Sequence, residues 1–459
     1  MLAAVSIGNL TVSIDNSILA PCLPYLVRIF HTDTNVISWV NIAYLIVSQS
    51  FMLTLAKLGD EKGRKLVYLS GMATYTCGLV MCSLAQGVGQ LVLARAIQGI
   101  GAATTISLSM AIAVAVFPLE ERGKTLGILA GINSLGLVAG PVMGGFILDL
   151  LGWRAVFFAR IPIALTSLFM AWLIIREQKN EDDHAAFDVK GSTALFVFLS
   201  GLLLLLSFGA RGGFGKLQSA ILATLTVLSF ILLFRYELQA KSPIINLALF
   251  KRLDFAGAAT SAFVYSLSSC VAVFVIPFYL IEALGHSGSV VGVYMGLMAA
   301  PVVLTSPLSG RLSDRVQPRF VATLGVLINC VALYLLSRLD VNSSLVGVAC
   351  GALLVGFGLG FFVPPINNII MQSVPREMLG TASALATTMR QIGISAGMAI
   401  TGAIYNSQKE NYIGLFRGSD TEMLARKAAA AAFHHTLIIG LIIGLLGLGI
   451  CLSVRSKQD

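Results

Sequence analysis

Asp15 is the first residue that demands a chemical explanation. It lies in SIGNLTVSIDNSILAPCLPYL, residues 6–26, an otherwise apolar run closed by Pro21 and Pro24. An ionised side chain inside a membrane span costs about 2.5–3.5 kcal/mol on insertion scales and is tolerated where it faces a cavity or a partner. An acid placed there can take a proton on one side of a membrane and release it on the other. While ionised it can also attract a cationic substrate. The plainer reading is a structural Asp, hydrogen-bonded to neighbouring helices or to the Asn16–Ser17 turn.

Three further groups could do related chemistry. Arg95 and Gln98 are three residues apart, so a helix puts them on one face. Arginine keeps its proton, but it can tune a nearby carboxylate and hold water or carbonyl oxygens. The plainer role for the pair is a polar clamp. Arg390 sits in another apolar run, with coupling and helix packing equally open and no partner visible in the sequence. Glu282, in FYLIEALG, is a candidate outer contact for substrate or proton, against an interfacial anchor as the simpler account; Asp149 reads as interfacial too. Nucleotide-driven chemistry lacks its phosphate-binding loop. The five histidines lie in or near loops, and His434–His435 does not have metal-ligand spacing. No metal and no cofactor are expected; the energy source would be a proton gradient.

These residues must be positioned by membrane helices. Of 459 residues, 56% are hydrophobic and only 12% charged, about half the charge of a soluble domain. The surplus of +9 is the usual mark of Lys/Arg-rich cytoplasmic loops and does not call for nucleic acid. The seven cysteines all lie in apolar runs and suggest no disulfide framework. No cleaved leader is expected, because the first apolar run is too long and lacks a basic flank. A span needs about 20 apolar residues. Fourteen runs qualify, near 2–24, 36–57, 66–86, 89–116, 126–150, 155–175, 191–210, 217–234, 254–283, 287–309, 319–337, 344–370, 381–405 and 436–454. With both termini in the cytoplasm, the basic loops around 57–65, 122–124, 176–190, 235–252 and 311–319 share that side. Arg28, Arg154, Arg160, Arg338 and Lys409 fall on the opposite side. The polar segment 406–435 lies outside, its alanine run suggesting a helix, and the charged connection 176–191 reads as a solvated linker.

Two loops repeat one pattern: LAKLGDEKGRK, 55–65, and SGRLSDRVQPR, 309–319. Such repetition is the sign of duplicated halves in secondary transporters. Glycines Gly63 and Gly310 allow sharp turns. Asp60 beside Arg64 and Lys65, and Asp314 beside Arg311 and Arg315, could pair in one arrangement of the halves and act as gates. The alternative is ordinary basic anchors. In the fifth run, Gly136, Gly140, Pro141, Gly144 and Gly145 recur about one turn apart. Small residues at that spacing let helix backbones approach closely, and the proline removes a backbone donor. GALLVGFGLGFFVPP, 351–365, reads as a packing and hinge element.

At these motifs the chain resembles the major facilitator superfamily, in particular its fourteen-helix drug:proton antiporter family. KLGDEKGRK resembles the superfamily's loop signature, with Ala56 where a glycine is usual. LVLARAIQGIGAA, 91–103, resembles its fourth-helix signature, and GLVAGPVMGG, 136–145, the antiporter signature. DNSILAPCLP, 15–24, resembles the first-helix signature, with Ala20 where Asn is common. LGWRAVFFARIPI, 151–163, resembles another, with Arg160 in place of Asn, and RQIGISAG, 390–397, fits the thirteenth helix.

The resemblance implies an all-α membrane protein with the major facilitator fold. It would have an N-terminal six-helix bundle over 1–176, a linker with an inserted helix pair over 177–253, and a C-terminal six-helix bundle over 254–459. It further implies a proton-coupled antiporter, not an enzyme, that exports small amphipathic drug-like molecules, cationic ones among them, by alternating access. Asp15, Arg95 and Gln98 would serve proton coupling. The expected partners are a small-molecule substrate, protons and membrane lipid, in a monomer set in a bacterial cytoplasmic membrane. An exporter of one specific metabolite on the same fold stays open, since fold does not fix substrate. So does a non-transporting sensor or scaffold, although a scaffold would have no need of Asp15.

Overall fold

The structure, a computed structural model, describes residues 2–116, 122–175, 189–208, 216–239, 247–374, 379–415 and 421–454. Among these residues it is helical throughout. The helices are α1 (Leu2–Ile18), α2 (Leu23–Ile29), α3 (Thr34–Lys62), α4 (Arg64–Leu84), α5 (Val88–Val116), α6 (Arg122–Leu151), α7 (Trp153–Phe158) and α8 (Ile161–Ile174). They continue with α9 (Val189–Phe208), α10 (Lys216–Gln239), α11 (Leu253–Phe278), α12 (Gly288–Arg315), α13 (Pro318–Ser337), α14 (Leu345–Gln372), α15 (Leu379–Leu415) and α16 (Thr421–Ser453). Taking α1 with α2 and α7 with α8 as broken spans, they fall into the fourteen runs expected from hydropathy. Apolar side chains such as Leu84, Leu150 and Leu304 stay largely exposed, as a lipid-facing surface requires.

Several boundaries move. The span drawn to residue 405 continues as helix to Leu415, and the last one begins at Thr421 rather than 436. The polar segment between them is therefore mostly helix, because its Ala, Glu, Lys and Arg residues favour that state. The first repeated loop also shrinks: α3 runs to Lys62, and Gly63 alone, at φ 103°, makes the turn into α4. The second is displaced. Gly310, Arg311, Asp314 and Arg315 form the last turns of α12, leaving Val316 and Gln317 as the turn. Pro318 at the first position of α13 supplies the restart that glycine was expected to supply. The charged connection 176–188 lies outside the described residues.

The chain divides into two compact units. One comprises Met1–Thr32, Trp39–Leu202 and Ile221–Ile244; the other comprises Asp33–Ser38, Leu203–Ala220 and Ile245–Asp459. In the first, α1 packs on α5, α6 and α8, and α4 on α5 and α8. In the second, α11 packs on α14, α15 and α16, and α13 on α14 and α16. The same helix pairs are thus used twice, which is the structural form of the repeat.

Both seams depend on glycine. Along α6, a Cβ on Gly136 would lie 2.6 Å from Ser13 Cβ, one on Gly140 2.8 Å from Ile14 O, and one on Gly144 2.8 Å from Ile18 Cγ1. Real side chains do not fit such gaps, so the glycine ridge sets how close α6 comes to α1. Along α15, Gly393 meets Ser266 and Gly397 meets Leu267 and Cys270 on α11.

Candidate functional site

Asp15 lies in the last turn of α1, just before the chain breaks its helix. Leu19 and the 3-10 turn Ala20–Cys22 follow, and then α2. Pro21 and Pro24 cause this break, since neither has an N–H for the helical ladder. The sixth span breaks as well: α7 ends at Phe158, and Arg160 caps α8. Discontinuous helices leave backbone groups unpaired at their ends and form the binding sites of many transporters. Here each break delivers a charge to the interior of the first unit.

The two charges meet. Arg160 Nη1 donates to Asp15 Oδ1. From α5, Arg95 Nη1 donates to Asp15 Oδ1 at 2.9 Å and to Oδ2 at 2.8 Å. All three residues are 1% exposed. The sequence pair Arg95–Gln98 also forms, with Arg95 Nη1 donating to Gln98 Oε1 at 2.7 Å. Arg95 is further held by Val40 O, 3.1 Å from its Nε, and by the Tyr44 ring, 4.0 Å below its guanidinium. Arg160 Nε donates to Val156 O at 3.1 Å, on the preceding turn. With Asp15 ionised the cluster carries one net positive charge. Its outer donors, Gln98 Nε2, Arg160 Nη2 and Tyr44 OH, have no acceptor among the described residues.

Close packing fixes this geometry. Gly78 of α4 lies against Gln98, where a Cβ would be 2.6 Å from Gln98 Cβ, and Gly99 lies 2.8 Å from Tyr44 O by the same measure. Tyr75 OH donates to Thr11 O at 3.3 Å, tying α4 to α1. The α6 ridge of Gly136, Gly140 and Gly144, with buried Pro141 and Gly145 beside it, closes on the turn of α1 that carries Asp15. Ser17 Oγ donates to Gly136 O at 3.4 Å along this seam.

The remaining candidates stand apart from this cluster. Glu282 lies in a single π-helical turn, Tyr279–Ala283, that continues α11 just after Pro277. Pi-turns concentrate at functional positions. Glu282 Oε2 accepts from Lys409 Nζ at 2.8 Å and from Tyr405 OH at 3.0 Å, both on α15. Arg426 Nε, from α16, donates to Ala283 O at 2.8 Å. Arg390 on α15 is partly buried and has no hydrogen bond or ion pair among the described residues. Arg64 and Lys65 open α4, while Arg311 and Arg315 are exposed on α12. Asp60 and Asp314 sit in helices, but their side chains lie outside the described ones.

Sequence reasoning placed Arg160 among the outer basic residues. The structure buries it against Asp15 instead, because the Ala159–Arg160 turn points it inward between two short helices. Its replacement of a customary Asn was the one available signal. The Glu282–Lys409–Tyr405 contact had no local signal, since its members are more than a hundred residues apart.

Comparison with known proteins gives a consistent frame. A family model described as Major Facilitator Superfamily matches residues 5–398. The multidrug resistance protein Stp of Mycobacterium tuberculosis is 28% identical over 404 residues, 88% of this chain and 75% of that protein. The riboflavin transporter RibZ of Clostridioides difficile is 28% identical over 405 residues, 88% of each. Among solved structures, a bacterial homolog of the human lysosomal transporter Spinster superposes with a TM-score of 0.73 at 16% identity, covering 99% of this chain and 96% of that one.

Proposed function

The chain belongs to the major facilitator superfamily, a family of membrane transporters rather than enzymes, and we propose that it exports small amphipathic molecules in exchange for protons. It would do so by alternating access in a cytoplasmic membrane, with both termini on the cytoplasmic side. The observation that carries this reading is the buried Asp15 held by Arg95 and Arg160. One carboxylate there binds α1 to α5 and to the turn before α8. A proton on Asp15 would remove the only negative charge of the cluster and leave two guanidiniums facing each other. That repulsion loosens the three elements; loss of the proton draws them together again. Proton binding thereby becomes a movement of helices, which is what coupling requires.

Asp15 can also exchange partners. A cationic group on a substrate would compete with Arg95 and Arg160 for the same two oxygens, so that proton and substrate would exclude each other. The drug-like class of substrate is supported by the relative named for multidrug resistance. A relative named as a riboflavin transporter favours a second reading, a dedicated exporter of one metabolite.

The test is transport by inside-out vesicles with an acidified lumen, using a panel of amphipathic cations. Uptake that follows the proton gradient and disappears in Asp15→Asn, in vesicles where that variant is shown to be folded, supports exchange. Gradient-driven uptake that is unchanged in Asp15→Asn removes Asp15 from coupling. Transport of a single flavin-like metabolite, with none of the panel, selects the second reading.

A further inference from the structure

The second unit has a cavity that the transport reading does not use. It holds about 360 Å³ and is lined by Arg338, Asp340, Tyr412, Lys427, His434 and His435, among others. It lies where α13 ends and α16 begins, at the end of the unit opposite the α12–α13 turn. A volume of this size accepts a small ligand group.

Its charge is uneven. Nearby, Lys409 and Arg426 are engaged by Glu282 and by Ala283 O. Arg338 and Lys427 are exposed and have no acidic partner among the described residues. Arg338 lies 5.8 Å from the centre of the Tyr334 ring, within reach of a cation–π contact. Among the described residues the wall's one carboxylate, on Asp340, is turned into its own loop. There its Oδ1 accepts from Asn342 N and Ser343 Oγ, both at 2.9 Å. His434 Nδ1 is hydrogen-bonded to Ser337 O at 2.5 Å, which fixes its ring in the wall. Among the described residues the cavity thus presents two cations without an acidic partner and one carboxylate engaged by its own loop.

Below the cavity is an apolar track. Phe320, Leu324, Leu327, Val331 and Tyr334 on α13 are all exposed. Their steps of four, three, four and three residues make a single helical stripe, and the next step of four is Arg338. The part of the stripe next to the cavity, Leu327, Val331 and Tyr334, runs about 16 Å from Arg338 at 1.5 Å per residue, about the depth of one leaflet, and so matches an acyl chain whose headgroup enters the cavity.

We propose that this cavity binds the phosphate-bearing headgroup of an anionic membrane lipid, whose acyl chain lies along the exposed stripe of α13. The shared chemistry with free phosphate is the anion; the stripe selects the lipid. Basic clusters at the membrane surface recognise anionic headgroups in this way.

The full-length protein is incorporated in nanodiscs of dioleoylphosphatidylcholine containing dioleoylphosphatidylglycerol, and the lipid it retains on release is measured by native mass spectrometry. Each cation near an anionic lipid contributes about fivefold. The double variant Arg338→Gln/Lys427→Gln should therefore lose about 30-fold of the preference for phosphatidylglycerol, and Lys427→Gln alone about fivefold. Both side chains are exposed, so the variants keep the fold, and an unchanged unfolding temperature checks that. Absence of any preference in the natural protein overturns the proposal, as does a preference that survives in the double variant. A third arm adds inorganic phosphate to protein in neutral detergent. Stabilisation by phosphate that the double variant loses, without lipid preference, would assign the cavity to a free anion and also overturn it. None of these readouts depends on transport.

Discussion

The arrangement around Asp15 makes an unequal prediction for two substitutions that look alike. Asp15→Asn leaves Arg95 and Arg160 buried with no counter-charge. Removing one partner of a buried ion pair destabilises by about 3–5 kcal/mol, and here one substitution removes the partner of two. Arg160→Asn should behave differently. Asp15 keeps Arg95, with both oxygens within 2.9 Å of its Nη1. The cluster falls from one positive charge to none, and the buried Arg160 Nη2 that lacks an acceptor disappears with the residue. An unsatisfied buried donor is worth about 1–3 kcal/mol. That gain offsets most of the lost ion pair, so Arg160→Asn should lie within about 1 kcal/mol of the natural protein. The double variant leaves a single uncompensated guanidinium and should be more stable than Asp15→Asn alone.

The assay is equilibrium unfolding in mixed micelles, run as a double-mutant cycle, with a coupling of at least about 2 kcal/mol expected for residues in one network. Arg160→Asn as damaging as Asp15→Asn would refute the reasoning, and so would additive effects. Additive effects would mean that Arg160 does not share the carboxylate; an equal loss would mean that Arg95 alone does not hold it.

Other perturbations read other parts of the structure. Gly140→Ala places a methyl 2.8 Å from Ile14 O and should destabilise by about 1–3 kcal/mol through overpacking. By contrast, Gly449→Ala meets nothing within 4 Å and should stabilise α16 by about 0.5–1 kcal/mol; unfolding measurements on the pair give opposite signs if the α1–α6 seam is as close as described. Gly63→Ala forces a side chain into φ 103° and should cost about 1–2 kcal/mol, seen as a lower unfolding midpoint. Lys409→Gln breaks an ion pair in which Lys409 is 24% exposed, so solvent screening limits its effect to about 1 kcal/mol or less; a larger loss would show that the π-turn at Glu282 depends on it.

Much of this architecture was legible because spans and seams are local properties. A run of about 20 apolar residues announces a helix, and glycines one turn apart announce a close seam whichever helix lies across it. Gly136, Gly140 and Gly144 could therefore be read before their partner was known. Loop ends were less legible. Lys57–Lys62 and Arg311–Arg315 are polar, but polar residues continue a helix as well as they form a loop, and only Gly63 and Pro318 interrupt the chain. Arg160 failed for a different reason. Its neighbourhood, FFARIPI, is apolar on both sides, and a basic residue near the start of a span looks like an anchor. Only the break between α7 and α8 turns it inward; Pro162 at the start of α8 marks the break, but the direction in which Arg160 then points is set by tertiary packing. Glu282 met the same limit, because Lys409 and Tyr405 come to it from a helix beyond the reach of any local pattern.

The repeat sharpens what the charge on α1 implies. Duplication supplied each unit with the same helix pairs and with a glycine seam, α6 on α1 and α15 on α11. It did not supply each with an acid. Where α1 carries Asp15, the corresponding stretch of α11 carries Ser266, Ser268, Ser269 and Cys270, all buried. Two of these groups bond across to neighbouring helices: Ser268 Oγ donates to Gly440 O on α16 at 2.8 Å and Cys270 Sγ to Ile394 O on α15 at 3.4 Å. A hydroxyl seam holds helices together without a charge, and packing alone would be served as well by hydroxyls in both units. The carboxylate with its two arginines is therefore an addition to the seam rather than a requirement of it. An addition that costs several kcal/mol to bury gives no packing that serine could not give, and the proposed proton exchange at Asp15 would account for that cost.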